Sequence, residues 1–213
     1  MTRDEILKLK AVTLYILKQC GGELDFIHLF KILYFAERSH YATYGKHLVA
    51  DTFCAMERGP VPSFLYDAVK VATGISACTD SSTLKLISSA LAPVGGECRY
   101  YIVRALEEPD MDELSRAAIA SLDKSISENQ HKDARQLSEE SHDEAWKEAW
   151  SHKHASPMKS LSIAKAGGAE DGFASYIAEQ EKLDKYLADD VWQGQPERAY
   201  SSGRSVVYQD CRC

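Results

Sequence analysis

Two histidine pairs offer the most obvious chemistry in this chain. In "LSEESHDEAWKEA" His142 and Trp146 stand four apart, so on a helix the imidazole reaches the indole. An imidazole can move protons, but general acid–base work needs a nucleophile or acid partner, and no neighbouring residue is marked as one. Its plainer role is a latch between elements. His152 and His154 form an H-x-H step that could chelate a metal if extended. No H-E-x-x-H, C-x-x-C or acid-rich loop accompanies it, which argues against a metal. Glycine-rich phosphate loops and G-x-S-x-G elbows are also missing, so neither a cofactor nor an enzyme is expected.

The remaining candidates are contact residues. In "ERGPVPSFLYD" a glycine and two prolines follow Arg58, and Tyr66 comes soon after. Gly59 can adopt a left-handed backbone, while Pro60 and Pro62 fix φ and favour extended neighbours. The segment is expected to be a stiff strand-to-helix corner, with Ser63 or Gly59 as N-cap. One reading makes the corner purely structural. The other makes Arg58, Gly59, Pro60, Val61 and Tyr66 a preorganised contact surface, since rigid loops lose less entropy on binding. His40, Tyr41 and Tyr44 share one face of a helix end, as rim packing or as an aromatic contact patch.

Several elements must position these residues. Thr2 and Glu5 suit a capping box for a first helix carrying Ile6, Leu9, Val12, Leu14 and Leu17. Asp25 is placed to cap a second helix that Gly45 closes. That helix is apolar around most of its circumference and is expected to be central and buried. "DTFCAME" alternates weakly as a strand, and "SFLYDAVKVA" has helical spacing. "LKLISSAL" and "CRYYIVRAL" flank "APVGGE", a loop suited to a hairpin. Further helices are expected from Asp110, with Glu113 completing its box, over "DARQLSEESHDEAWKEAW" as one region, and over "SLSIAKAGG" and "EDGFASYIAEQEKLDKYLADD". The fold class is therefore mainly α (α+β), a single compact helical domain around a buried central helix, with a small antiparallel β element. It is expected to span residues 1–188. Residues 189–213 form an extension, either a flexible end or an arm ordered by a partner.

Composition narrows the function. The chain has 213 residues and a formal net charge of −7, which argues against a main role in tracking nucleic acid. Six cysteines (20, 54, 78, 98, 211 and 213) form no regular framework, and a thiol in an apolar segment behaves as a small hydrophobe. The N-terminus lacks a signal-peptide core, and no apolar run could span a bilayer, so a cytoplasmic location is expected.

Three segments together resemble the Panacea or SocA-like antitoxin domain, also found in phage-associated proteins. "FKILYFAERSHYATYGKHL" is similar to that family's first signature, with Lys31, Leu33, Tyr34 and Phe35. "ERGPVPSFLYD" resembles its G-P-V element, and "LSEESHDEAWKEA" its late element, with Leu137, Ser138, Ser141, His142 and Trp146. The resemblance runs from about residue 1 to about residue 187. Glu57–Arg58 departs from the aromatic or lysine often found beside the glycine, and the extension has no counterpart. The resemblance implies a mostly α domain that neutralises a protein toxin encoded nearby by binding it. In at least one branch the antitoxin also delivers its toxin to a AAA+ protease. Two alternatives stay open. A DNA-binding regulator of its own operon would read bases from "SFLYDAVKVA", which offers only Lys70 as a cation. An enzyme would use His142 with nearby acids.

Overall fold

The computed structural model describes residues 1–75, 82–95, 102–152 and 154–192. Residues Met1–Ile177 form one compact unit and Ala178–Cys213 a second. Cys78, Cys98, Cys211, Cys213 and the end of the extension lie outside the described residues.

Local chemistry fixes the first two helices as the sequence suggests. Helix α1 (Arg3–Gln19) begins with the Thr2–Glu5 capping box, each residue satisfying the other's backbone N–H. Its inner face buries Ile6, Leu9, Val12, Leu14 and Leu17. Strand β1 (Glu23–Asp25) follows, and Asp25 caps helix α2 (Phe26–Tyr44) by accepting from Ile27 N and His28 N. Gly45 closes α2 in the left-handed conformation. The apolar circumference of α2 has its expected consequence. The helix packs against α1, α5 (Arg116–Asn129), α6 (Ala134–Ser141) and α8 (Ser160–Ala166). Leu29, Ile32, Leu33 and Tyr34 have no exposed surface. Each such side chain contributes roughly 1.5–3 kcal/mol of burial relative to an exposed one.

Two small antiparallel sheets complete the fold. Strand β2 (Phe53–Met56) pairs with β3 (Gly59–Pro62) on one side and β6 (Ser156–Pro157) on the other. Strand β5 (Ile102–Ala105) lies between β1 and β4 (Leu91–Pro93). The architecture is mainly α with a small β component, as the sequence reading expects.

Five local expectations need correction. The segment expected as a strand-to-helix corner is a tight hairpin: Met56 pairs with Gly59 across Glu57–Arg58, and Gly59–Pro62 is itself a strand. Helix α3 (Ser63–Ala72) starts directly after it, but neither Ser63 nor Gly59 caps it. "LKLISSAL" is mostly helix α4 (Ser82–Ser88), and only its end reaches β4. Asp110 caps a single 3-10 turn (Met111–Glu113), whereas α5 begins later under the Ser115 hydroxyl. The fourth helical region breaks at His142, giving α6 and α7 (Glu144–His152). Helix α9 (Asp171–Trp192) ends the described chain, and its Ile177 packs with Tyr41 and Ala164.

Candidate functional site

The β2–β3 hairpin is held by its carbonyl groups. Trp146 Nε1, from α7, donates to Met56 O at 2.9 Å. Ser138 Oγ, from α6, donates to Arg58 O at 3.1 Å. Lys31 Nζ, from α2, donates to Pro60 O at 2.8 Å. The backbone of Glu57 hydrogen-bonds His142, which follows α6. Three helices distant in sequence thus truss one turn from beneath, while Glu57 and Arg58 are exposed above it.

The residue types of "GPVP" now have physical reasons. Gly59 has φ +97°, and a Cβ there would overlap Ser141 Oγ and stand 2.9 Å from Lys31 Nζ. Only glycine fits that approach. Pro60 and Pro62 lie on an edge strand, where proline is tolerated because it has no N–H to offer a ladder. The same lack of donors prevents this edge from recruiting another strand.

The junction below the turn carries unusual electrostatics. Lys31 is 1% exposed, and burial pushes its ammonium down to about 7. The His142 ring stacks on Trp146 at 3.8 Å, and its Nε2 is buried without a hydrogen-bond partner. Burial, with the nearby Lys31 charge, lowers the His142 pKa. The stack continues from Trp146 to Trp150 at 5.1 Å, and His154 meets Trp150 edge-on at 4.2 Å.

Carboxylates reinforce the surroundings. Asp143 Oδ2 accepts from Tyr34 OH and from Arg38, both at 2.8 Å, and Asp143 Oδ1 accepts from Trp146 N. Burial, then Asp143, raises the Tyr34 phenol far above its ordinary range. Asp51 caps α3 across the sheet: its carboxylate accepts from Ser63 Oγ, Phe64 N and Leu65 N. Burial raises the Asp51 carboxyl, although those donors oppose the shift. Glu37, fully buried within α2, accepts from Leu48 N, Val49 N and His47 and so fixes the loop after α2.

The residues expected from sequence fall into three groups. Lys31, Gly59, Pro60, Ser138, His142 and Trp146 converge on the junction. Leu33, Phe35 and Leu137 are core residues, and Val61 packs half-buried against the same core. Tyr66 is half-buried at 5.9 Å from the Phe30 ring, with Lys70 Nζ 4.5 Å above it. The third group sits elsewhere. His40 is buried and its Nδ1 lies 2.9 Å from Ser121 Oγ. Tyr41 is 2% exposed and stacks on His47, whereas Tyr44 is 47% exposed. Sequence reasoning missed Asp51, Glu37 and Asp143. A carboxylate inside the apolar run of α2 was a usable signal for Glu37; Asp51 acts too far along the chain to be read from spacing.

Among the described residues, no group of three His, Cys, Asp or Glu side chains could hold a metal ion. Nor is any helix there long and apolar enough to cross a membrane. The turn is exposed, and side chains from α2, α6 and α7 brace its base.

The family model described as antitoxin SocA-like, Panacea domain, matches residues 29–147. No curated protein and no solved structure matches the chain. The family match takes in Lys31, the Gly59–Pro60–Val61 strand and the His142–Trp146 stack, the parts that build the junction. It covers more than half of the sequence, and the chain therefore belongs to the SocA-like antitoxin family with a Panacea domain.

Proposed function

We propose that this chain is the antitoxin of a toxin–antitoxin pair and neutralises a cognate protein toxin by direct binding. The Glu57–Arg58 turn is the centre of the contact surface. One observation carries this reading: three helices and the His142 break between α6 and α7 commit four polar side chains to holding the backbone of a turn whose own side chains face solvent. Such bracing reduces the ordering cost of binding. An exposed arginine on a rigid base is also a typical interface anchor. Tyr44 and the half-buried Tyr66 supply aromatic surface of the kind enriched at such interfaces. Delivery of the captured toxin to a AAA+ protease is a second step of the same reading.

Growth rescue tests it. The adjacent reading frame is expressed alone and with this chain, and toxicity should disappear only in the second case. Arg58→Glu leaves the backbone bond to Ser138 available, so the variant should fold normally. It should bind toxin at least about 30-fold more weakly, the scale of an interface hot spot. Full rescue by Arg58→Glu combined with Tyr44→Ala would place the contact surface elsewhere. Toxin levels with and without an ATP-dependent protease separate simple capture from delivery.

A further inference from the structure

Two basic groups lie beneath the exposed turn, Lys31 fully buried and His142 half-buried, and neither forms an ion pair among the described residues. Lys31 Nζ donates to Pro60 O, a bond that the neutral amine, with its two N–H donors, can still make. The space beside it is closed by Gly59 and by Ser141, whose hydroxyl already donates to Ser138 O. His142 has its ring against Trp146 and its Nε2 buried without a partner.

The charged and titratable groups around this junction are committed elsewhere or exposed. Between α6 and α7, Asp143 takes Tyr34, Arg38 and the Trp146 amide. On α6, Glu139 pairs with Arg135. Glu57 and Arg58 stand in solvent on the turn itself. Lys31 and His142 act on each other as like charges. A proton added to Lys31 therefore creates a fully buried charge with no ion-pair partner among the described residues, which is costly unless the group reaches water, and a proton added to half-buried His142 meets Lys31 as a like charge that Asp143 and Glu139 offset only in part.

We infer that the junction is a proton-gated clasp: neutral Lys31 and His142 hold the β2–β3 turn against α2 and α6, and protonation loosens it. The linkage has a definite sign. In the opened state both groups are solvated and bind protons with ordinary affinity, while the closed state binds them less readily. Falling pH therefore favours opening, first through Lys31 and then, in mild acid, through His142. This inference concerns the chain without a partner and stands whether or not the turn meets a toxin.

Backbone amide exchange on the full chain tests it, with protection factors that remove the intrinsic pH dependence of exchange. The ladder amides of Met56, Gly59 and Val61 should be at least about tenfold less protected at pH 6 than at pH 9, since one unit of proton affinity is worth a factor of ten. Core amides of α2, such as Ile32, should change much less. In Lys31→Met the hairpin should stay protected at pH 9 and pH 7, with only the smaller His142 response below that. Equal hairpin protection of the unaltered chain at pH 6 and pH 9 overturns the clasp, and this comparison decides even if the variant fails to fold. Full retention of the pH response in Lys31→Met overturns it as well.

Discussion

Ser141 Oγ fills the space that a side chain at position 59 would need. Alanine at 59 would meet two separate costs. Its φ of +97° disfavours any side chain, at roughly 1–3 kcal/mol. Its Cβ would also overlap Ser141 Oγ, and overpacking of this kind costs about 1–3 kcal/mol. Gly59→Ala should therefore destabilise the fold by about 2–5 kcal/mol in urea titration. Ser141→Ala removes the overlapping atom at the expense of one hydrogen bond. The double variant should consequently lose less stability than the two single losses together. Additive losses would mean that strain alone makes Gly59 necessary.

At the scale of elements, what matters is which caps are local. Helix α2 starts under its own neighbour, Asp25, which also pairs with His28. Burial pushes Asp25 up, but hydrogen bonds from the His28 side chain and backbone outweigh it, leaving the carboxyl below its ordinary value. His28 is raised, chiefly by its hydrogen bond to Asp25. The lowered acid stabilises above its unfolded pKa and loses that as pH falls. The raised base stabilises below its unfolded pKa and loses that as pH rises through the folded value. The pair therefore helps most between about pH 4 and 6.5, and His28→Gln should lower stability within that window and remove the decline above it.

Helix α3 differs, because its cap is Asp51 on the far side of the hairpin. Asp51→Ala should cost about 1–2 kcal/mol, a normal cap value. Asp51→Asn keeps one carbonyl acceptor and should cost less. This contrast explains what could be read in the sequence. Thr2, Asp25 and the apolar circumference of α2 act within a few residues, so spacing revealed them. Asp51 is linked to α3 only after the hairpin folds, and β6 is strand only because β2 lies beside it. The break of α6 from α7 at His142 likewise reflects tertiary demand: the residue leaves the helix to reach the turn and Trp146. The family signatures were legible, but their convergence on one turn was not, since no local period encodes it.

For the whole molecule, the question is how much chain is needed to fold and how much to capture a partner. Every buried residue of the two hydrophobic clusters lies at or before Ile177. A chain ending after Asp190 therefore keeps the complete core of the Met1–Ile177 unit. Its urea unfolding midpoint should match that of the full chain. Residues 191–213 carry Arg198, Arg204 and Arg212 against Glu197 and Asp210, a basic segment on a chain whose net charge is −7. Beyond the end of α9, the aromatic and β-branched residues Tyr200, Val206, Val207 and Tyr208 show no helical period in the sequence. If the proposed antitoxin reading holds and the extension takes part in capture, the truncated chain binds the toxin more weakly, mainly through faster dissociation, because lost contacts act on the off-rate more than on encounter. Surface plasmon resonance of both chains against the toxin provides the measurement. Identical off-rates would reduce the extension to a terminus without a role in capture and leave binding to the braced turn and helical faces of the body.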